Sequence, residues 1–144
     1  MKEMQFSIAI DTSKQKVWDT LWNDKTFREW AGLIDPGTYM KGELIKGKEV
    51  QFISAENGYG VTSLVEDVVP GDLLVLRHSA DTKGEGEQQR EKEWTGGKES
   101  YSLVEKDGIT TLTATFDVPP QMEDYFQENY PKALQKVKDI AENS

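Results

Sequence analysis

His78 is the only histidine in this 144-residue chain, and there is no cysteine. The usual nucleophiles, bases and soft metal ligands are therefore scarce. A multi-histidine or thiolate metal site cannot be built, and a carboxylate site would need acids clustered on one inward face, which no strand-like run provides. No metal and no cofactor is expected. The run His78, Ser79, Asp81 has the composition of a hydrolytic triad. Close neighbours on a strand alternate between faces, however, whereas a triad is assembled from different elements. No catalytic set is assigned. Gly84-Glu85-Gly86 and Trp94-Thr95-Gly96-Gly97-Lys98 superficially resemble phosphate loops. Neither has the Gly-x-x-x-x-Gly-Lys-Ser/Thr spacing or lies between a parallel strand and a helix.

His78 lies near the end of LLVLRHS, where alternation puts Leu74, Leu76 and His78 on one face. It could act as an acid–base group or a hydrogen-bond donor to a ligand, or be only a partly exposed polar residue at a strand end.

The elements that must position these residues are readable from periodicity. Phe6, Ile8 and Ile10 alternate with Ser7 and Ala9, which predicts a first strand over Gln5–Asp11. In Thr12-Ser13-Lys14-Gln15 a hydroxyl has Gln three residues on, a capping-box pattern. Val17, Trp18, Leu21 and Trp22 then follow at helical spacing. A second short helix carries Phe27, Trp30 and Ala31 and is stopped by Asp35-Pro36-Gly37. Six strand-like runs come next: Tyr39–Ile45, Glu49–Glu56, Gly60–Val68, Leu73–Ser79, Glu93–Glu105 and Ile109–Asp117. The turns between them include Lys46-Gly47-Lys48, Asn57-Gly58, Pro70-Gly71-Asp72 and Asp107-Gly108, so an antiparallel meander is expected. The polar stretch from Ala80 to Lys92 has little to bury and reads as a mobile hairpin loop. After Pro119-Pro120, the residues Met122, Phe126, Tyr130, Ala133, Leu134, Val137, Ile140 and Ala141 keep a helical stripe. Pro131 predicts a kink there, or a short lead-in before the main helix.

The predicted fold class is α+β: a curved antiparallel sheet in the order β-α-α-β-β-β-β-β-β-α wrapped around a long C-terminal helix. A sheet that curls round a helix leaves space between them, which two short helices can plug. The residues expected to line that space are Trp30, Phe52, Trp94, Tyr101, Phe116, Phe126 and Tyr130, with Leu64, Leu76 and Leu134 as apolar wall and His78 at the rim. Tyr and Trp join a large apolar surface to one polar handle, which suits a core and a ligand pocket equally.

Seventeen basic against 26 acidic side chains give a net charge of −9, which repels nucleic acid and anionic lipid at long range. Lys132, Lys136 and Lys138 are interleaved with acids and read as a solvated face. MKEMQFSIAID lacks an apolar signal-peptide core, and no run approaches the roughly 18 apolar residues of a membrane span. One cytoplasmic domain over 1–144 is expected, with no membrane insertion and no nucleic-acid partner, as a monomer or weak homodimer.

Several stretches in this order resemble the START-like, helix-grip (SRPBCC) superfamily, and within it the bacterial homologues of the activator of the heat-shock-protein-90 ATPase. They are FSIAIDTSKQKVWDTLWN with FREWAG, then GELIKGKEVQF, VTSLVEDVVPGDLLVLRH, ESYSLVEKDGITTLTATFD and PKALQKVKDIAE. The resemblance implies an interior cavity between sheet and long helix, used by relatives for lipids, plant hormones, polyketides and other hydrophobic molecules. It does not imply one activity: some relatives are cyclases, while the eukaryotic namesake stimulates a chaperone through a protein interface. Three functions are therefore carried forward. The first is binding of a small hydrophobic or aromatic ligand, the second a chaperone-accessory interaction, and the third a cofactor-free cyclase, dehydratase or hydrolase in which His78 or a buried tyrosine moves protons.

Overall fold

A computed structural model describes residues 1–84 and 88–144. The chain begins with strand β1 (Lys2–Ile10), followed by helices α1 (Lys14–Trp22) and α2 (Asp24–Ala31). Strands β2 (Thr38–Lys41), β3 (Glu49–Ser54), β4 (Tyr59–Val69), β5 (Leu73–Lys83), β6 (Gln88–Gln89), β7 (Lys98–Lys106) and β8 (Ile109–Val118) come next. A 3₁₀ turn at Pro120–Met122 leads into helix α3 (Glu123–Glu142). The strands form one antiparallel sheet in the order β1-β8-β7-β5-β4-β3-β2, with the short β6 pairing to β5. This is the expected helix-grip arrangement, with one extra two-residue strand.

The sheet buries one face beneath α3 because its apolar residues alternate along each strand. Leu112, Ala114, Phe116 and Val118 of β8 are buried with Leu74 and Leu76 of β5 and Tyr101 and Leu103 of β7. Against them α3 sets Phe126, Tyr130, Ala133, Leu134, Val137 and Ala141, the single stripe that 3.6-residue periodicity produces. Each large side chain buried this way contributes about 1.5–3 kcal/mol relative to exposure. Pro131 lies inside this helix rather than at its start. No separate main helix begins there, because the apolar stripe on both sides of the proline is held on one packed core. The cap of α1 is Ser13, whose hydroxyl accepts from the N–H of Lys16. This places the cap one residue beyond Thr12, where the predicted capping box would begin.

Two irregularities bend the β4–β5 pair. Thr62 faces Ala80 while Ser63 faces His78, leaving Ser79 as an extra residue, and Glu66 is extra between the Val65–Leu76 and Asp67–Val75 pairs. Such bulges increase local twist and re-aim side chains. The inward series Leu74, Leu76, His78 continues at Asp81 instead of Ala80, and Asp81 faces Val61 across the ladder. The segment read as a loop from Ala80 is thus largely ordered: β5 runs on to Lys83, and Asp81 and Thr82 are buried. Residues 85–87 of that expected loop lie outside the described residues. β7 begins at Lys98, so Trp94 belongs to a turn, not to a strand.

Asp107 and Gly108 both take positive φ, as a tight β7–β8 hairpin requires. At the β3–β4 turn only Gly58 does so, because the loop is longer and Asn57 Oδ1 accepts from the N–H of Tyr59. Gly60 is fixed by space: a Cβ there would stand 2.1 Å from the carbonyl oxygen of Phe52. Among the described residues no helix is long and apolar enough to cross a membrane.

Gly60→Ala forces these backbones apart and is expected to destabilise the fold by about 1–3 kcal/mol. Urea denaturation measures this, and a variant as stable as the parent would contradict the close approach.

Candidate functional site

Between the curled sheet, α2 and the start of α3 lies a cavity of about 430 Å³. That volume falls within the range of small-molecule sites. Its inner wall is aromatic: Trp22, Phe27 and Trp30 from the two short helices, Phe52 from β3, Tyr101 from β7, and Phe126 and Tyr130 from α3. Ring contacts knit this wall together. Trp22 meets Tyr101 edge-on at 5.0 Å between centroids, Phe27 meets Trp30 at 5.3 Å, and Phe116 supports Tyr130 from behind at 4.6 Å. Trp30 is further fixed by its indole N–H, which donates to the carbonyl of Leu21. The Tyr125 hydroxyl donates to the carbonyl of Ile34, tying α3 to the segment after α2 beside the opening.

Trp94 reaches the cavity by a different device. The Asp81 carboxylate, fully buried, accepts from the backbone N–H groups of Glu93, Trp94 and Thr95 and from the Thr95 hydroxyl at 2.6 Å. Burial pushes this carboxyl upward. The Thr95 hydroxyl and the three N–H groups outweigh burial and hold it below its ordinary value. Arg90 stands 3.5 Å from the same carboxylate, donates to the carbonyls of Thr82 and Gly60, and lies over the ring of Tyr59. The turn so anchored lays Trp94 against Phe126 at 5.4 Å and edge-on to His78.

The cavity has one polar end. His78 is 4 % exposed, so it is buried and not the partly exposed strand-end residue that sequence also allowed; β5 runs on past it to Lys83, and the Trp94 ring lies edge-on to it. Its Nδ1 is 2.7 Å from the Ser63 hydroxyl, and its Nε2 is 3.9 Å from Glu99. The Tyr101 hydroxyl donates to Glu99 at 2.9 Å and lies 3.1 Å from that of Tyr130. Since the Tyr101 proton goes to Glu99, Tyr130 donates to Tyr101, and both phenol protons run toward the carboxylate. Burial, then the charge of Glu99, raises both phenols well above their ordinary value, so they stay protonated donors. At the mouth, Asp35 is raised above its ordinary value by burial and by Glu56, against the opposing Thr38 hydrogen bond and Arg90. Among the described residues no three His, Asp or Glu side chains gather closely enough to hold a metal ion.

Of the residues singled out from sequence, Trp30, Phe52, His78, Trp94, Tyr101, Phe126 and Tyr130 line this space. Leu64, Leu76, Phe116 and Leu134 do not. Leu64 faces Arg77 and Glu49 on the ladder, in the opposite phase to the buried Ser63 and Val65. Leu76, Phe116 and Leu134 are packed within the core and support the wall from behind. Sequence reasoning missed Trp22, Phe27, Glu99, Asp35 and Arg90 as wall residues. Glu99 shares the alternating phase of Tyr101 on β7, and this was the one signal that could have found it.

No family profile and no curated protein sequence matches this chain. Solved structures do. A Mesorhizobium loti protein superposes with a TM-score of 0.73 at 14% identity, covering 99% of this chain and 98% of its own. The Aha1 dimer from Colwellia psychrerythraea gives 0.70 at 19% identity over 99% of this chain and 97% of that one. DynU16, a protein of the dynemicin biosynthetic locus, gives 0.69 at 12% identity over 96% of this chain, which spans 46% of DynU16. At such identities the likeness shows a shared fold, and the fold is helix-grip.

Asp81→Asn removes the charge that gathers three N–H groups and is expected to cost about 1.5–3 kcal/mol at neutral pH. Because the folded Asp81 carboxyl titrates below its unfolded value, its contribution is complete above that unfolded value. It is lost as pH falls through the folded one. The stability gap between parent and variant should therefore close in acid; thermal melts at a series of pH values check this, and a pH-independent gap would contradict it.

Proposed function

We propose that the chain binds a small, mostly apolar, aromatic or alicyclic molecule in the cavity beneath α3. The observation that carries this reading is the cavity itself, a half-open space of about 430 Å³ walled by aromatic rings. A domain of this size normally fills its interior to crystal-like density. Space left unfilled among rings braced by their own contacts matches a receptor site better than a packing defect. The polar end would orient the guest, and the aromatic wall would supply most of the affinity. The resemblance to START-like proteins and the shared fold with DynU16 and the Colwellia Aha1 dimer agree with such use of the interior.

A second reading, acid–base chemistry on a bound guest, is favoured by one observation: His78, Glu99, Tyr101 and Tyr130 converge on the same end of the cavity. In that reading His78→Gln or Tyr101→Phe would abolish turnover of a guest that the parent transforms. A chaperone-accessory role and a weak homodimer remain proposals; a pull-down with the host chaperone and sedimentation of the purified chain test them.

Native mass spectrometry of gently isolated protein, with a thermal-shift screen of apolar compounds, is expected to reveal a retained or stabilising guest. Val61→Trp, which fills the cavity from β4, should weaken that binding by about tenfold or more while the protein still melts cooperatively. An empty protein that no apolar compound stabilises would remove the proposal, as would unaltered binding by the filled variant.

A further inference from the structure

The cavity is not evenly apolar, and at its polar end one carboxylate oxygen has no hydrogen-bond donor among the described residues. Glu99 is 23 % exposed and faces the space. One of its oxygens, Oε2, takes the Tyr101 proton, and Tyr101 in turn takes that of Tyr130. The other, Oε1, has His78 Nε2 at 3.9 Å as its nearest basic group among the described residues, too far for a direct hydrogen bond. A partly desolvated carboxylate oxygen is thus left with an unused acceptor site directed at an aromatic enclosure. Tyr101 and Tyr130 adjoin Glu99, Trp94 and Trp22 line the same cavity, and ring faces attract cations as the carboxylate does.

The rest of the lining carries the same sign. Asp35, Glu93 and Glu99 contribute acids, and the one arginine, Arg90, is already committed to Asp81 and to the carbonyls of Thr82 and Gly60. Glu93 has both oxygens engaged, Oε1 by the Trp94 indole N–H and Oε2 by the Gln121 amide at 3.5 Å, whereas Glu99 has only Oε2 engaged. The whole chain, at −9, adds attraction for positive solutes and repulsion for negative ones.

The geometry points to an organic cation as the guest: an aromatic or alicyclic amine, held as its ammonium, with N–H donated to Glu99 Oε1 and the carbon skeleton among the rings of Trp22, Trp30, Trp94 and Phe126. This rests on the cavity-binding reading and narrows its ligand class. At 3.9 Å, Glu99 Oε1 and His78 Nε2 are too close to admit a group between them, so the ammonium approaches Glu99 Oε1 from the cavity side, beside His78. Carboxylate or phosphate guests are disfavoured at that end, since their charge would meet Glu99 without a compensating cation.

The test uses the full chain and two matched sets of probes in isothermal titration calorimetry: tryptamine, indole-3-ethanol and indole-3-propionate, and phenethylamine, phenethyl alcohol and 3-phenylpropionate. Within each set the amine is expected to bind about tenfold or more tighter than the alcohol, which is about 1.4 kcal/mol, with the carboxylate weakest. Glu99→Gln, close in shape but uncharged, should erase the preference for the amine over the alcohol within each set. Should that variant fail to fold, the contrast between amine and alcohol in the parent decides alone. Alcohols binding as tightly as amines, carboxylates binding best, or a preference that survives Glu99→Gln would each overturn the cation assignment while leaving the cavity-binding reading in place. If no probe of either set binds, the cation assignment falls, and the apolar thermal-shift screen separately decides the broader reading.

Discussion

One buried carboxylate organises the mouth of this protein. Asp81 gathers three successive N–H groups and a hydroxyl from the turn before β7. Without it, a polar segment with little apolar surface would have no reason to fold against the sheet. A buried ion costs several kcal/mol of desolvation, which only a near-complete set of hydrogen bonds offsets. Here the set is complete enough to keep the group ionised, and its consequence is positional: Trp94 is carried over His78 and onto Phe126. The bulge at Ser79 is the geometric condition for this, because without the extra residue Ala80 would occupy the inward position.

The other end of the cavity follows a different logic. Glu99 is kept in an apolar setting by two phenols whose protons form a directed chain toward it, Tyr130 to Tyr101 to Glu99. Those phenols are in turn braced by rings, Tyr101 by Trp22 and Trp30, Tyr130 by Phe116 and Phe6. Aromatic packing and polar organisation are therefore one structure, since moving any ring moves the proton chain. The sheet supplies rigidity at the base, and the two short helices supply the rings that α3 alone could not bring to the polar end.

Much of this was legible in the residues. Alternation along β8 and β5, the stripe on α3 and the Asp107-Gly108 hairpin were all read from short-range pattern, because period and turn chemistry are local properties. Seven of the candidate residues meet in one cavity: Phe52, His78 and Tyr101 through the alternating phase of their strands, Trp30, Phe126 and Tyr130 through the helical stripes, and Trp94 through a turn that no strand phase describes. Leu64 departed because the extra residue Glu66 shifts the phase of β4 between Val65 and Val68, and a one-residue shift moves a side chain to the other face. Leu76, Phe116 and Leu134 were on the right face but at the wrong depth: pattern separates inside from outside, not wall from core.

The sequence by itself determined the α+β class, the order of every element but β6, the acidic charge and the lack of cysteine, since composition and periodicity are carried by each residue without reference to distant ones. Only the tertiary structure decided that Asp81 is an anchor instead of a loop residue, that Trp94 sits in a turn, and that Glu99 stands beside His78 and two tyrosines. Those relations join side chains from β4, β5, β7 and α3, up to 67 positions apart from Ser63 to Tyr130. Their physical source is desolvation, because a charge chooses its partners from what packing brings within reach, and no local pattern encodes that reach.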